Sequence, residues 1–118
     1  MAKRLLLIFA PSEDHPDCRF LADELRRQPD RVHDRDVLVF SILEKGQSRL
    51  GDVRLDKAAG ELLRKRFPVK QGAFTVVLIG KDGGEKLRRE EGVTIGEIFG
   101  LIDTMPMRRR EMWGRTDR

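Results

Sequence analysis

The run Arg4-Leu-Leu-Leu-Ile-Phe-Ala-Pro-Ser-Glu-Asp-His-Pro-Asp-Cys-Arg-Phe20 passes from one structural period to another. From Arg4 to Ala10 it reads as a continuous apolar run, as in a strand buried on both faces. Pro11 to His15 is a loop of turn formers. Pro16 suits the first position of a helix, and the spacing of Cys18, Leu21, Ala22 and Leu25 gives that helix one apolar stripe, which Pro29 ends. Strand, short loop and helix in that order commit the start of the chain to an α/β arrangement.

The remaining pattern extends it. Asp36 to Leu43 reads as a second strand and Glu44 to Asp52 as a polar loop. Leu55, Ala59, Leu62, Leu63 and Phe67 form a second helical stripe, stopped at Pro68. Phe74 to Ile79 is a third strand, Gly80-Lys-Asp-Gly-Gly84 a hairpin turn of the Asp-Gly kind, and Glu85 to Arg88 the return strand. Thr94 and Glu97 make a capping box for a last helix bearing Ile95, Ile98, Phe99, Ile102 and Met105, ended at Pro106. The order βαβαββα calls for two parallel strands joined by a right-handed crossover, plus an antiparallel hairpin. This is the minimal thioredoxin-like arrangement, an α/β three-layer sandwich around a mixed four-stranded sheet, seen also in glutaredoxin.

At 118 residues the chain is expected to form one domain, 1–118, with a basic C-terminal segment, 106–118. Its 24 basic and 20 acidic residues leave a net charge of +4. The excess falls late, in Arg108, Arg109, Arg110, Arg115 and Arg118 against Glu111 and Asp117, and would favour an anionic partner. Tyrosine is absent and aromatics are few, which argues against a stacking platform for nucleic acid. One cysteine excludes an internal disulfide framework. The apolar start is too short for a signal peptide, and no stretch reaches transmembrane length. The sequence as it stands therefore reads as cytoplasmic, or as periplasmic or secreted if a leader precedes it. Its apolar faces suffice for a monomer.

Phe74-Thr-Val-Val-Leu-Ile-Gly-Lys-Asp-Gly-Gly-Glu-Lys-Leu-Arg88, Ile102-Asp-Thr-Met-Pro-Met-Arg-Arg-Arg-Glu-Met112 and the Leu-Leu-Ile-Phe-Ala-Pro-Ser opening resemble an uncharacterised bacterial family, domain of unknown function 4174. That family in turn resembles domains of the animal DRS, Equarin, URB and SRPUL matrix proteins. The resemblance spans nearly the whole chain. It implies a thioredoxin-like fold with suggested kinship to peroxiredoxins and members that are often exported, and it attaches no activity.

Cys18 supports two readings. Near the start of the first helix, amide donors and the helix dipole would favour a thiolate. Pro11 and Cys18 match the spacing of the peroxiredoxin motif P-x-x-x-T-x-x-C, with His15 in place of the threonine. A protonated His15 would lower the thiol pKa further. Against this, Asp14 and Asp17 flank the thiol, and His15 stands where thioredoxin has its nucleophilic cysteine. Phe74 stands where thioredoxins carry a cis-proline. Cys18 also opens an apolar stripe, as a small buried hydrophobe would. Dithiol exchange has no support, and His15 and Cys18 with one aspartate fall short of a zinc set, so no metal or other cofactor is expected.

The Gly80–Gly84 turn leads into a strand and has no hydroxyl after Lys81, unlike a phosphate loop. Met105-Pro-Met107 with the arginines that follow offers thioethers beside positive charge, a docking surface, or else a packed Met105 and a solvated tail. Specific nucleic-acid recognition has no motif behind it. His33 reads as a surface loop residue and Trp113 as a cover for one edge of the core. No serine, histidine and acid set supports hydrolysis.

Two functions follow. One is a binding module on a thioredoxin frame, without dithiol chemistry, using Lys81, Arg108, Arg109 and Arg110 to meet a protein or other anionic partner. The other is a one-cysteine peroxidase in which Cys18 attacks peroxide, His15 and Pro11 shape the pocket, an unidentified arginine steadies the thiolate, and an external thiol restores it.

Overall fold

The computed structural model describes the backbone of residues 2–116 and the side chains of residues 2–113. Met1 lies outside the described residues, as do Asp117, Arg118 and the Arg115 side chain of the expected basic segment. The elements are β1 (Arg4–Ala10), α1 (Pro16–Arg27), α2 (Pro29–Asp34), β2 (Val37–Leu43), β3 (Arg49–Leu50), β4 (Val53–Arg54), α3 (Lys57–Arg66), β5 (Thr75–Ile79), β6 (Glu85–Arg89), α4 (Ile95–Asp103) and α5 (Pro106–Thr116).

β1 is the axis of the sheet. It runs parallel to β2, from Arg4↔Val37 to Ala10↔Leu43, and antiparallel to β5, from Leu5↔Ile79 to Phe9↔Thr75. A strand paired on both sides and covered on both faces must be apolar throughout, and Leu6 to Ala10 are all buried. Leu6, Ile8 and Ala10 enter a core cluster with Leu21 and Leu25 of α1 and Ile98, Phe99 and Ile102 of α4. Leu7 and Phe9 enter the opposite cluster with Ile42, Val77 and Ile79, against half-buried Leu63 and Phe67. The result is three layers, with α1 and α4 on one face of the sheet and α3 on the other. This is the thioredoxin-like fold.

Four expectations change. The sheet has six strands, in the order β4-β3-β2-β1-β5-β6, not four. The extra pair lies in and just beyond the segment read as the Glu44–Asp52 loop. β3 pairs antiparallel with β2 (Phe40↔Leu50, Ser41↔Arg49), and the chain turns into β4 through Gly51 at φ +58. Strands of two residues are too short to show a period. Pro29 and Pro106 do end helices, but each also opens the next one, α2 and α5, at a position where the missing N–H costs nothing. Leu62 is 69% exposed. The face of α3 toward the sheet is instead Gly60, Leu63 and Phe67, with Gly60 close enough to Ile42 and Ser48 that a Cβ would just touch both.

Other local signals are met. In α4 the Glu97 N–H donates to Thr94 Oγ1 and the Thr94 N–H to Glu97 Oε2, both at 3.1 Å. The β5–β6 turn closes with the Gly80 N–H donating to the Gly84 carbonyl and the Gly83 N–H to the Gly80 carbonyl, both at 2.9 Å, with Gly83 at φ +83. No helix among the described residues is long and apolar enough to cross a membrane.

Candidate functional site

The junction between β1 and α1 holds the one thiol. Cys18 is 4% exposed and belongs to the α1–α4 core cluster with Ile8, Ala10, Leu21 and Phe74. It also lines a cavity of about 260 Å³ together with Glu13, Asp14, Arg26, Ser41 and Arg49. Burial pushes the Cys18 thiol up, Glu13 adds to that, and Arg26 opposes both. A thiol so placed is held protonated, and the carboxylate that acts on it is Glu13.

His15 is otherwise engaged. It is the N-cap of α1, its Nδ1 accepting the Asp17 N–H at 3.3 Å. Its ring stacks on Phe74, with centroids 5.4 Å apart and planes 7° from parallel. An imidazole that accepts at Nδ1 carries no proton there, so capping the helix and acting as a cation exclude each other. Pro11 is tethered to the β2–β3 connection, its carbonyl accepting the Lys45 N–H at 2.9 Å, and lies outside the lining of the Cys18 cavity. The three residues expected to form a peroxide pocket are thus neighbours in sequence with separate structural tasks.

The other end of β1 is ionic. Arg4 is fully buried and donates to the Arg35 carbonyl at 2.7 Å and to Glu111 Oε1 at 3.1 Å. Glu111 also accepts from Lys81 at 3.0 Å, and Lys81 donates to Asp36 at 2.8 Å. Arg35 grips Asp103 through two hydrogen bonds, Nε–Oδ1 at 3.1 Å and Nη2–Oδ2 at 2.9 Å, with its guanidinium 4.3 Å above the Phe99 ring. Arg108, 2% exposed, donates to Asp103 at 3.1 Å and to Asp34 Oδ2 at 2.7 Å. Asp36 adopts the left-handed region at φ +52, tolerable for aspartate, and this turns the chain from α2 into β2.

The partners govern the titration of these groups. The hydrogen bond from Lys81 lowers the Asp36 pKa. Burial alone would raise Asp103 and Glu111, but hydrogen bonds from Arg35 and Arg108, and from Arg4 and Lys81, bring both below the usual carboxylate range. Burial likewise opposes the charge on Lys81 and Arg108, and their carboxylate partners outweigh it, so both are raised.

Arg108, expected on an open contact surface, therefore serves inside the molecule, while half-buried Lys81 is tied to Asp36 and Glu111 and still lines a cleft. Pro106 starts a helix whose third residue points inward, and this could not be read from a run of arginines. Arg109 and Arg110 are exposed on α5, and among the described residues neither has an ion-pair partner.

The same helix builds a cleft. The β5–β6 turn and the α4–α5 turn face each other across a cavity of about 390 Å³, lined among others by Lys81, Lys86, Met105, Met107 and Arg110, with Arg4 behind them. Lys86 had drawn no attention in the sequence. It reaches back over the turn to Asp82 at 2.7 Å, and Gly80 makes that possible, because a Cβ there would lie 2.7 Å from Lys86 Cε. The opposite charges four residues apart around a glycine turn were the available sign. Among the described residues, no group of three or more histidine, cysteine or acidic side chains is placed to hold a metal ion.

Comparison with known proteins accords with this architecture. The chain matches the family described as domain of unknown function (DUF4174) over residues 1–111. It is 28% identical to the sushi repeat-containing protein SRPX2 of Xenopus laevis and 27% identical to SRPX of Rattus norvegicus, over 93% of its own length in each case. It spans only about a quarter of the length of these relatives, 25% and 24%. Among solved structures it is similar to Plasmodium yoelii thioredoxin peroxidase I (TM-score 0.62, 19% identity, 96% of this chain and 77% of that one). It is also similar to the reduced 2-Cys peroxiredoxin of Plasmodium vivax (TM-score 0.62, 16% identity, 92% and 80%). These structural likenesses speak to the fold, and the matched residues, running from the apolar opening into the first half of the ion-paired helix α5, make the chain a member of the DUF4174 family.

Proposed function

We propose that this chain is a binding module on a thioredoxin-like frame, without dithiol redox chemistry, that meets a protein or other anionic partner at its basic end. One observation carries the reading: the hairpin and the arginine helix, two elements far apart in sequence, meet around one open cleft lined with cations and thioethers. The lone thiol lends redox chemistry little support, being packed in the core and pushed toward its protonated form. The matching region is a quarter of its longer relatives, as suits a module within larger chains.

A second reading has its own observation. Cys18 lines a cavity with Arg26 and Arg49, and this reading would take one of them as the arginine that steadies the thiolate. There the thiolate sulfur would attack one peroxide oxygen, the O–O bond would break and release hydroxide, and an external thiol would reduce the sulfenic acid.

Peroxide consumption in the presence of dithiothreitol separates the two. The binding module predicts no turnover above that of free cysteine, in the native chain and in Cys18→Ser alike. Saturable turnover that is lost in Cys18→Ser would establish the peroxidase instead.

A further inference from the structure

We infer that the cleft between the β5–β6 turn and the α4–α5 turn seats an acidic segment of a protein partner, with a large apolar side chain beside its carboxylates. This rests on the binding-module reading and specifies its ligand. The charges around the cleft are unequally satisfied. Arg4 and Lys81 share Glu111, Lys81 also holds Asp36, and Lys86 holds Asp82. Arg110 lines the cleft and has no ion-pair partner among the described residues. An incoming carboxylate meets Arg110 directly. Among the described residues it competes for Lys86 with Asp82 alone, and an exposed pair of that kind is weakly held.

The apolar half of the ligand follows from the methionines. Met105 packs against the core at the bottom of the cleft, while Met107 is 45% exposed at its edge. Flexible thioethers adapt to apolar side chains of varied shape. Trp113, 71% exposed, lies two further steps of three residues along α5 from Met107, with Arg110 between them. This alternation of apolar and basic positions on one exposed stripe suits a segment in which acidic and apolar residues also alternate. A dense polyanion fits less well, because Asp82 lies in the lining and Glu111 and Asp36 hold much of the neighbouring positive charge.

The test is an NMR titration of the isotope-labelled chain with a short end-blocked peptide alternating glutamate with leucine. The expected result is saturable binding that weakens with salt, with shifts concentrated in the amides of residues 80–86 and 104–110. Arg110→Glu and Met107→Asp should each weaken binding by about tenfold or more, as should glutamine for glutamate or serine for leucine in the peptide. Both positions are exposed, so these variants should fold, and an unchanged spectrum outside the cleft verifies it. Absence of saturable binding, shifts elsewhere, or indifference to the variants would overturn the inference. So would equal binding of heparin or of anionic phospholipid vesicles, since either places the specificity in charge alone. None of these results touches the thiol. The binding-module reading falls separately, on Cys18-dependent peroxide turnover.

Discussion

The two ends of β1 are built on opposite principles. Beyond Ala10, the polypeptide reaches Cys18, which is buried in an apolar cluster. At Arg4, four buried or half-buried cations meet four carboxylates, and residue types usually found on surfaces hold α2, α4, α5 and the hairpin turn together. The comparison teaches that residue type alone misassigns both ends. The thiol is buried, and the arginine block divides into Arg108, which binds the fold, and Arg109 and Arg110, which face solvent.

Deleting one group at each end should break this symmetry most visibly. Asp103→Ala leaves Arg35 and Arg108 buried without their shared carboxylate, and it should cost about 3 kcal/mol, the low end for such a loss because Asp103 keeps some contact with water. At the other end, Cys18→Ala removes one sulfur from a packed site and should cost about 1 kcal/mol. Urea denaturation of the two variants checks the ordering, and equal losses would mean that the ionic end is not the stronger tie.

The pH dependence sharpens the contrast with a smaller effect. Asp36, Asp103 and Glu111 have lowered pKa values in the fold. Their contribution is fully present above the unfolded carboxylate values, near pH 4, and is lost as pH falls through the lower folded values. The Cys18 thiol is raised, so its contribution is present below the unfolded thiol value and is lost as pH rises toward the folded one. Stability measured across pH should therefore fall at both extremes. The acid slope should flatten in Asp103→Ala and the alkaline slope in Cys18→Ala. Slopes unaltered by these substitutions would contradict the assignment.

Much of the fold was legible because its signals are local and periodic. The unbroken apolar run of β1, the Thr94–Glu97 capping box and the Asp-Gly turn each specify their element with few alternatives. β3 and β4 were not legible, since two-residue strands owe their existence to the neighbouring edge of β2 and carry no period of their own. The site was legible in part. Met105, Met107, Lys81 and Arg110 do come together, but Arg108 does not join them. Its inward direction depends on Pro106 starting a helix and on Asp34 and Asp103 waiting beneath it, and both are tertiary facts. Lys86 entered through a cross-turn contact and Glu13 through a loop conformation, neither of which sequence spacing encodes.

The most direct test of the central claim is the rate of iodoacetamide alkylation of Cys18 in the folded chain, from neutral to alkaline pH, set beside the free energy of unfolding in the same buffers. A core thiol predicts labelling slowed by the unfolding equilibrium constant and accelerated in step by denaturant, with its midpoint above that of free cysteine, about 8.5. Fast labelling of the folded chain with a midpoint below that value would contradict the account and return Cys18, with Arg26 and Arg49, to the centre of the function.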